Sequence, residues 1–428
     1  MVENFNSIRK YNYWDNNSVE CGYERYEYSQ LIEKYIGNKL VKVLVGQRRA
    51  GKSYILRQLI SKIISSGVKP ENTLYINKEY MALSTIRTSE DLELFYKTYI
   101  SELGVKGKVY LFIDEIQYID QWERFVNSHS QDFAEPCELF ISGSNSDLLA
   151  GELATLLSGR YVEFNVFPYS FNEYCDVTSQ DVNANSYMNY INSGALPELF
   201  SLPNDEMKRN YITSIKDTVM LRDIVSRYKV KDIKLLDDLF IYLVNNAGNL
   251  ISITNIINYF ASNKRKTNYE TISSYISYFE RSFLIHRAER YNIKGKDTIS
   301  GNCKYYINDL GYHNYLYSGY GYGVGYMLEN AIYLSLKRAG FNIYVGTIKG
   351  AEVDFVAIKG SLRIYIQVAL YLENQQTYDR EYRSLKLIED NYVKYVISMD
   401  KFNIPTNEGI EHITPWDLDK ELEKFNSI

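Results

Sequence analysis

Val41-Lys-Val-Leu-Val-Gly-Gln-Arg-Arg-Ala-Gly-Lys-Ser-Tyr-Ile-Leu-Arg-Gln-Leu-Ile-Ser-Lys-Ile-Ile64 is the stretch that decides the fold. Val41 to Val45 reads as a buried strand, and from Tyr54 the apolar residues recur at helical spacing. Between them lies Gly46-Gln-Arg-Arg-Ala-Gly-Lys-Ser53. Strand, glycine-rich loop and helix in this order make a phosphate cradle. Gly46 and Gly51 let backbone amides approach the phosphates, Lys52 reaches the terminal ones, and Ser53 ligates magnesium at a helix N-terminus that already favours anions. The run expected to contact nucleotide is Gly46, Gln47, Arg48, Arg49, Ala50, Gly51, Lys52, Ser53 and Tyr54, with the Arg48 and Arg49 side chains turned to neighbouring segments rather than to phosphate.

A second element supports the first. Val109-Tyr-Leu-Phe-Ile113 is an apolar strand ending in Asp114-Glu115, and Thr73 to Asn77 and Asp91 to Ile100 supply a strand and a helix in between. Asp114 is then the magnesium carboxylate and Glu115 the residue that polarises the attacking water, because phosphoryl transfer needs mainly positioning and charge neutralisation. A fourth strand, Glu138 to Ser142, runs into Gly143-Ser-Asn-Ser-Asp147. Asn145, ahead of Ser142 and Ser144, is a candidate sensor of the terminal phosphate, and a helix cap by Ser144 or Ser146 is the competing reading. Arg160 precedes another β-rich run and is a candidate arginine finger, in cis or from a neighbouring subunit, with a surface salt bridge as its alternative. Asn77-Lys78-Glu79-Tyr80 breaks the guanine signature at its last position, which favours ATP over GTP.

The bulk numbers set bounds. A chain of 428 residues accommodates two to four domains, and a net charge of −5 means that nucleic-acid binding has to come from a local basic patch. Cys21, Cys137, Cys175 and Cys303 are far apart and share no ligand spacing with the histidines, so neither a zinc site nor a disulfide framework is expected. With no apolar signal core and no run of about 18 apolar residues, the expected location is cytoplasmic, with no membrane.

Together with the loop, Asp114-Glu-Ile-Gln-Tyr118, Ile141-Ser-Gly-Ser-Asn145 and Leu157-Ser-Gly-Arg-Tyr161 make the chain resemble a prokaryotic family of AAA-type P-loop ATPases. Members carry a C-terminal domain similar to PD-(D/E)xK nucleases. Ile8 to Trp14, Gly194 to Glu198, Leu328 to Asn330, Glu352 to Phe355 and Tyr365 to Ala369 agree with it, so the likeness covers nearly the whole chain. The resemblance implies ATP and Mg2+ as cofactors. It leaves the biological role undefined.

The rest of the chain is read as follows. Residues 1–36 are an N-terminal segment, 37–178 the α/β P-loop NTPase domain with its parallel sheet, and 179–232 a polar helical lid or connector. Residues 233–317 show three short helices and two strands around a Gly-Lys-rich loop, the pattern of a winged helix-turn-helix. Residues 262–296 hold eight Lys or Arg against three Glu, and Lys264, Arg265, Lys266, Lys294 and Lys296 are the candidate phosphate contacts. Residues 318–428 show the helix-strand-strand-strand-helix-strand order of a small restriction-endonuclease-like α/β domain. There the resemblance matches Glu329 and Asp354 to metal-binding acids, while Gln367 stands for a further acid and Ala369 for the nuclease lysine. An amide is a weaker ligand than a carboxylate for a hard cation, so Glu329, Asp354 and Gln367 are expected to be a structural remnant. The function expected is an ATP-binding and ATP-hydrolysing AAA-type protein whose nucleotide state controls a winged-helix, DNA-binding module and a nuclease-like domain, with duplex DNA and a homo-oligomer or partner protein as its expected partners. A nucleotide-gated protein-interaction switch without DNA binding is the alternative, and an ATP-dependent DNA-cleaving effector is a third.

Overall fold

The computed structural model describes residues 2–149, 157, 159–317, 323–401 and 404–425, and resolves into two compact units, 1–166 and 167–428. The first contains a five-stranded parallel sheet of β1 (Val41–Val45), β2 (Thr73–Asn77), β3 (Val109–Asp114), β4 (Cys137–Gly143) and β5 (Tyr161–Asn165), in the order β2-β3-β4-β1-β5. Strands β1 and β2 are buried along their whole length, as continuous apolar runs in a parallel sheet covered on both faces should be. Helix Lys52–Ser65 packs Ile55, Leu56, Leu59, Ile60 and Ile63 into a core shared with Leu44, Tyr75, Phe112 and Phe140. Strand order has a direct consequence for function: β4 separates β1 from β3, so the loop after β1 and the acids after β3 stand on either side of it.

The opposite end of the sheet is closed by a buried charge cluster. Lys42 and Glu138 form an ion pair with both side chains almost fully buried, and Glu138 also accepts the Gly37 amide at 3.0 Å. Burial lowers the Lys42 pKa even though its partner opposes the change.

Residues before the sheet are tied to it. The Asn12 side chain accepts from the Tyr75 amide at 2.7 Å and donates to the Tyr75 carbonyl at 3.2 Å, imitating a neighbouring strand along the outer edge of β2. Trp14 Nε1 donates to the Thr73 carbonyl on the same strand at 2.8 Å.

The second unit contains the helices Ile233–Asn245, Ile253–Ser262 and Tyr269–Arg281 in the expected places, capped by Asp232, Ser252 and Asn268. The hairpin that follows, β6 (Ile285–Asn292) and β7 (Asp297–Ile307), joins a seven-stranded sheet with β8 (Asn342–Ile348), β9 (Ala351–Lys359), β10 (Leu362–Val368), β11 (Val393–Ile397) and β12 (Ile410–Ile413). Its order is β12-β11-β10-β9-β8-β6-β7, so stretches read from sequence as successive modules share one sheet through the parallel pairing of β6 with β8. Helix Val324–Arg338, β8, β9, β10, helix Gln375–Lys386 and β11 occur in the expected sequence.

Candidate nucleotide site

The loop after β1 is shaped by two glycines with different jobs. At Gly46 a Cβ would lie 2.1 Å from the Val166 carbonyl oxygen, so another side chain would push the end of β5 away. Gly51, at φ 100°, takes the left-handed conformation that starts helix Lys52–Ser65. The buried Lys52 ammonium donates to the Gly46 carbonyl at 2.8 Å and to the Gln47 carbonyl at 3.0 Å, which folds the loop around its own lysine. Arg48 pairs with Glu79, in agreement with a side chain turned to a neighbouring segment.

Asp114, at the end of β3, is fully buried. Its Oδ2 accepts from the Tyr75 hydroxyl at 2.8 Å and from Asn77 Nδ2 at 2.9 Å, while Ser142 donates to Oδ1. Glu115 adopts φ 56°, a left-handed conformation rare for a non-glycine residue, and its amide donates to Ser142 Oγ at 3.2 Å. Its carboxylate accepts from Ser144 Oγ at 3.1 Å and from Gln117 Nε2. Burial raises the Glu115 pKa above the usual carboxylate value, the Lys52 charge acts in the opposite direction, and Asp114 adds to the rise. Lysine and glutamate thus act on each other electrostatically across the site.

Ser142 and Ser144 touch the acids, whereas the Asn145 carbonyl oxygen Oδ1 accepts from the Asp147 amide at 2.7 Å. Asn145 therefore starts the short helix Ser146–Leu149, the capping role that the sequence reading assigned to a neighbouring serine.

Arg160 requires a correction. It directly precedes β5, and its carbonyl accepts from the Val41 amide at 2.9 Å, so it lies at the amino end of β1, a strand's length of about 16 Å from the phosphate loop. That is farther than an arginine side chain reaches, and its exposed guanidinium instead donates to Asn127 at 3.4 Å. A finger acting in cis on its own loop is excluded.

The structure adds residues the sequence reading missed. Arg25 is fully buried, and its Nη1 donates to the Ala50 carbonyl of the loop at 2.9 Å. It is carried there by a segment fixed to helix Lys52–Ser65, since Gln58 Nε2 donates to the Cys21 and Tyr23 carbonyls, each at 2.7 Å. Nothing in the spacing of Arg25 announces this. Asn77 and Gln117 did carry a signal, being polar residues at or just beyond the carboxyl ends of β2 and β3, where ligands bind in open α/β sheets.

In the second unit, Lys264, Lys266, Lys294 and Lys296 are exposed. Arg265 is committed elsewhere: it bridges Asp232 at 2.7 Å and Asp238, tying the end of one helix to another. Glu329, Asp354 and Gln367 line one groove, in which Gln367 Oε1 accepts from Ser384 Oγ at 3.2 Å, and Ala369 enters the backbone ladder by donating to Ile397 at 3.0 Å.

A family model described as an AAA domain matches residues 38–175, and one described as a domain of unknown function (DUF8612) matches residues 184–320. An uncharacterized protein of Haemophilus influenzae is 32% identical over 398 residues, which cover 92% of this chain and 98% of that one. An uncharacterized protein of Methanocaldococcus jannaschii is 32% identical over 410 residues, 91% of this chain and 87% of that one. Among solved structures, the chain is similar to the Walker-type ATPase of Pyrococcus abyssi, with 16% identity, coverage of 68% of this chain and 95% of that one, and a TM-score of 0.45. It is also similar to Cdc6p of Pyrobaculum aerophilum, with 12% identity, coverage of 67% and 90%, and a TM-score of 0.32. The first unit is an α/β fold whose parallel five-stranded sheet matches a P-loop NTPase, and among the described residues no helix is long and apolar enough to cross a membrane.

Proposed function

This chain belongs to one family with the Haemophilus and Methanocaldococcus proteins and carries an AAA domain, and from that premise we propose that it binds ATP with Mg2+ and hydrolyses it. The observation that carries the reading is that the buried Lys52 and Glu115 follow β1 and β3, the two strands on either side of β4, at the carboxyl end of one parallel sheet. The oxygen donors present suit magnesium: Ser53, at the start of the helix, and Asp114 would hold it. When bound, the ion neutralises charge on the transferring phosphate.

The chain's own residues do the rest. Amides of the loop and the helix N-terminus take phosphate oxygens, and Lys52 exchanges the Gly46 and Gln47 carbonyls for them. Glu115, steadied by Ser144 and Gln117, orients the attacking water and accepts its proton. Lys52→Ala is expected to weaken ATP binding by about 100-fold, and Glu115→Gln to keep binding while turnover falls by about 100-fold. Nucleotide titration and phosphate release measure the two, and unchanged hydrolysis in both variants would remove the assignment.

The nucleotide state is further proposed to act on the 233–317 region, with duplex DNA as its partner. Support comes from the exposed Lys264, Lys266, Lys294 and Lys296. Charge reversal at Lys264 and Lys266 should weaken duplex binding and flatten its salt dependence. Absence of salt-dependent duplex binding favours the protein-interaction switch instead. Arg160 retains only a role toward a neighbouring subunit, which predicts an ATPase rate per molecule that rises with protein concentration and loses that rise in Arg160→Ala.

A further inference from the structure

The resemblance stated for the C-terminal region matches Glu329 and Asp354 to metal-binding acids of nucleases, with Gln367 in the place of a further acid. The groove that holds them has a volume of about 630 Å3, and its carboxylates come from helix Val324–Arg338, from β9 and, with Glu381, from helix Gln375–Lys386. Glu381 pairs with Arg380, and the other three converge on a lysine from another part of the chain. Lys304, on β7, places its ammonium 3.0 Å from Glu329 Oε1, 2.8 Å from Glu352 Oε1 and 3.6 Å from Asp354 Oδ1, with a side chain only 5% exposed.

The remaining contacts leave little for a metal to use. Glu329 Oε1 also accepts from the Tyr306 hydroxyl at 2.6 Å, and Asp354 Oδ2 accepts from the Val368 amide at 2.9 Å. Gln367, the third position, turns its carbonyl oxygen toward the Asp354 amide at 3.4 Å and the Ser384 hydroxyl at 3.2 Å. Among the described residues no group of three His, Cys, Asp or Glu has the arrangement that holds a metal ion. A hard divalent cation needs about six oxygens at roughly 2.0 to 2.6 Å, whereas an ammonium brings three N–H donors and asks for contacts at hydrogen-bonding distance. The second description fits this site and the first does not.

We propose that Lys304 is the built-in cation of this cluster: it occupies the place of a divalent ion, excludes Mg2+ and Mn2+, and makes the groove metal-independent. The lysine missing at Ala369 has thus been supplied from β7, but as a counter-charge. Three carboxylates hold β7, β9 and helix Val324–Arg338 together through one ammonium.

The test is Mn2+ binding to the full-length chain, followed by the electron paramagnetic resonance of free Mn2+. An Asp114→Asn background keeps the phosphate-loop site from contributing. The background protein is expected to bind no Mn2+ that a further Asp354→Asn removes. Lys304→Met is expected to gain one Mn2+ per chain, at least about tenfold tighter than any binding in the background, and Lys304→Met/Asp354→Asn to lose it again. If Lys304→Met does not fold, Lys304→Gln, which keeps N–H donors, takes its place. Mn2+ bound by the background protein and lost with Asp354→Asn would overturn the proposal, as would a folded Lys304 variant that gains none.

Discussion

Each unit contains a buried lysine beside acidic residues, and the two lysines do opposite things. Lys52 is placed by hydrogen bonds to the Gly46 and Gln47 carbonyls, neutral dipoles that orient it without cancelling its charge, and Glu115 feels that charge from across β4. Lys304 is placed by three carboxylates, whose fields raise its pKa well above the ordinary lysine value despite burial. A lysine held by carbonyls can still be transferred to an incoming phosphate. One held by carboxylates already has its anions.

The comparison can be broken by deleting both ammoniums. Lys304→Ala leaves the buried Glu329 and Asp354 and the partly exposed Glu352 without their cation and should cost about 3 to 5 kcal/mol of unfolding free energy, whereas Lys52→Ala should leave stability within about 1 kcal/mol while weakening nucleotide binding about 100-fold. Denaturant melts beside nucleotide titrations measure the pair, and equal stability losses would show that the lysines are the same kind of residue.

A second buried acid of the second unit sharpens it further. Asp309 has no lysine; it accepts from the Ala195 amide at 2.8 Å and the Gly311 amide at 2.7 Å, and burial nonetheless raises its pKa from 3.8 to about 6. A carboxyl whose folded pKa is raised contributes stability that is complete below about pH 4 and disappears as pH rises through about 6, here about 3 kcal/mol. Chemical denaturation between pH 4 and 7 should show a steeper loss of stability in the wild type than in Asp309→Asn. The smallest effect belongs to Arg265, whose partly exposed pairs with Asp232 and Asp238 should be worth about 1 kcal/mol, with little change in duplex affinity when it becomes Ala.

The phosphate loop and Asp114-Glu115 were legible in sequence because each is a local event: a turn chemistry between a strand and a helix, or two acids ending an apolar run. Arg160 was misplaced for a related reason. Its position depends on the direction of β5, and a residue entering a parallel strand sits at the edge opposite the phosphate loop, which pairing reveals and spacing does not. Lys304 lies fifty positions before Asp354 on a strand that reaches the acids only by joining their sheet, and no spacing rule spans that distance. Arg265 shows the limit of counting charges, because the excess of basic residues was real while one of them was spent on helix packing.

The side chain of Asn12 along β2 has a consequence for how the molecule behaves in company. The outer strand of a sheet offers donors and acceptors to any extended chain that drifts past, and in this protein the Tyr75 amide and carbonyl are already taken by one amide side chain. Asn12 is a counterfeit neighbour, and Trp14 beside it occupies the Thr73 carbonyl. Clipping the chain beyond Trp14 would reopen this edge without touching the phosphate loop, giving a protein whose first symptom is self-association.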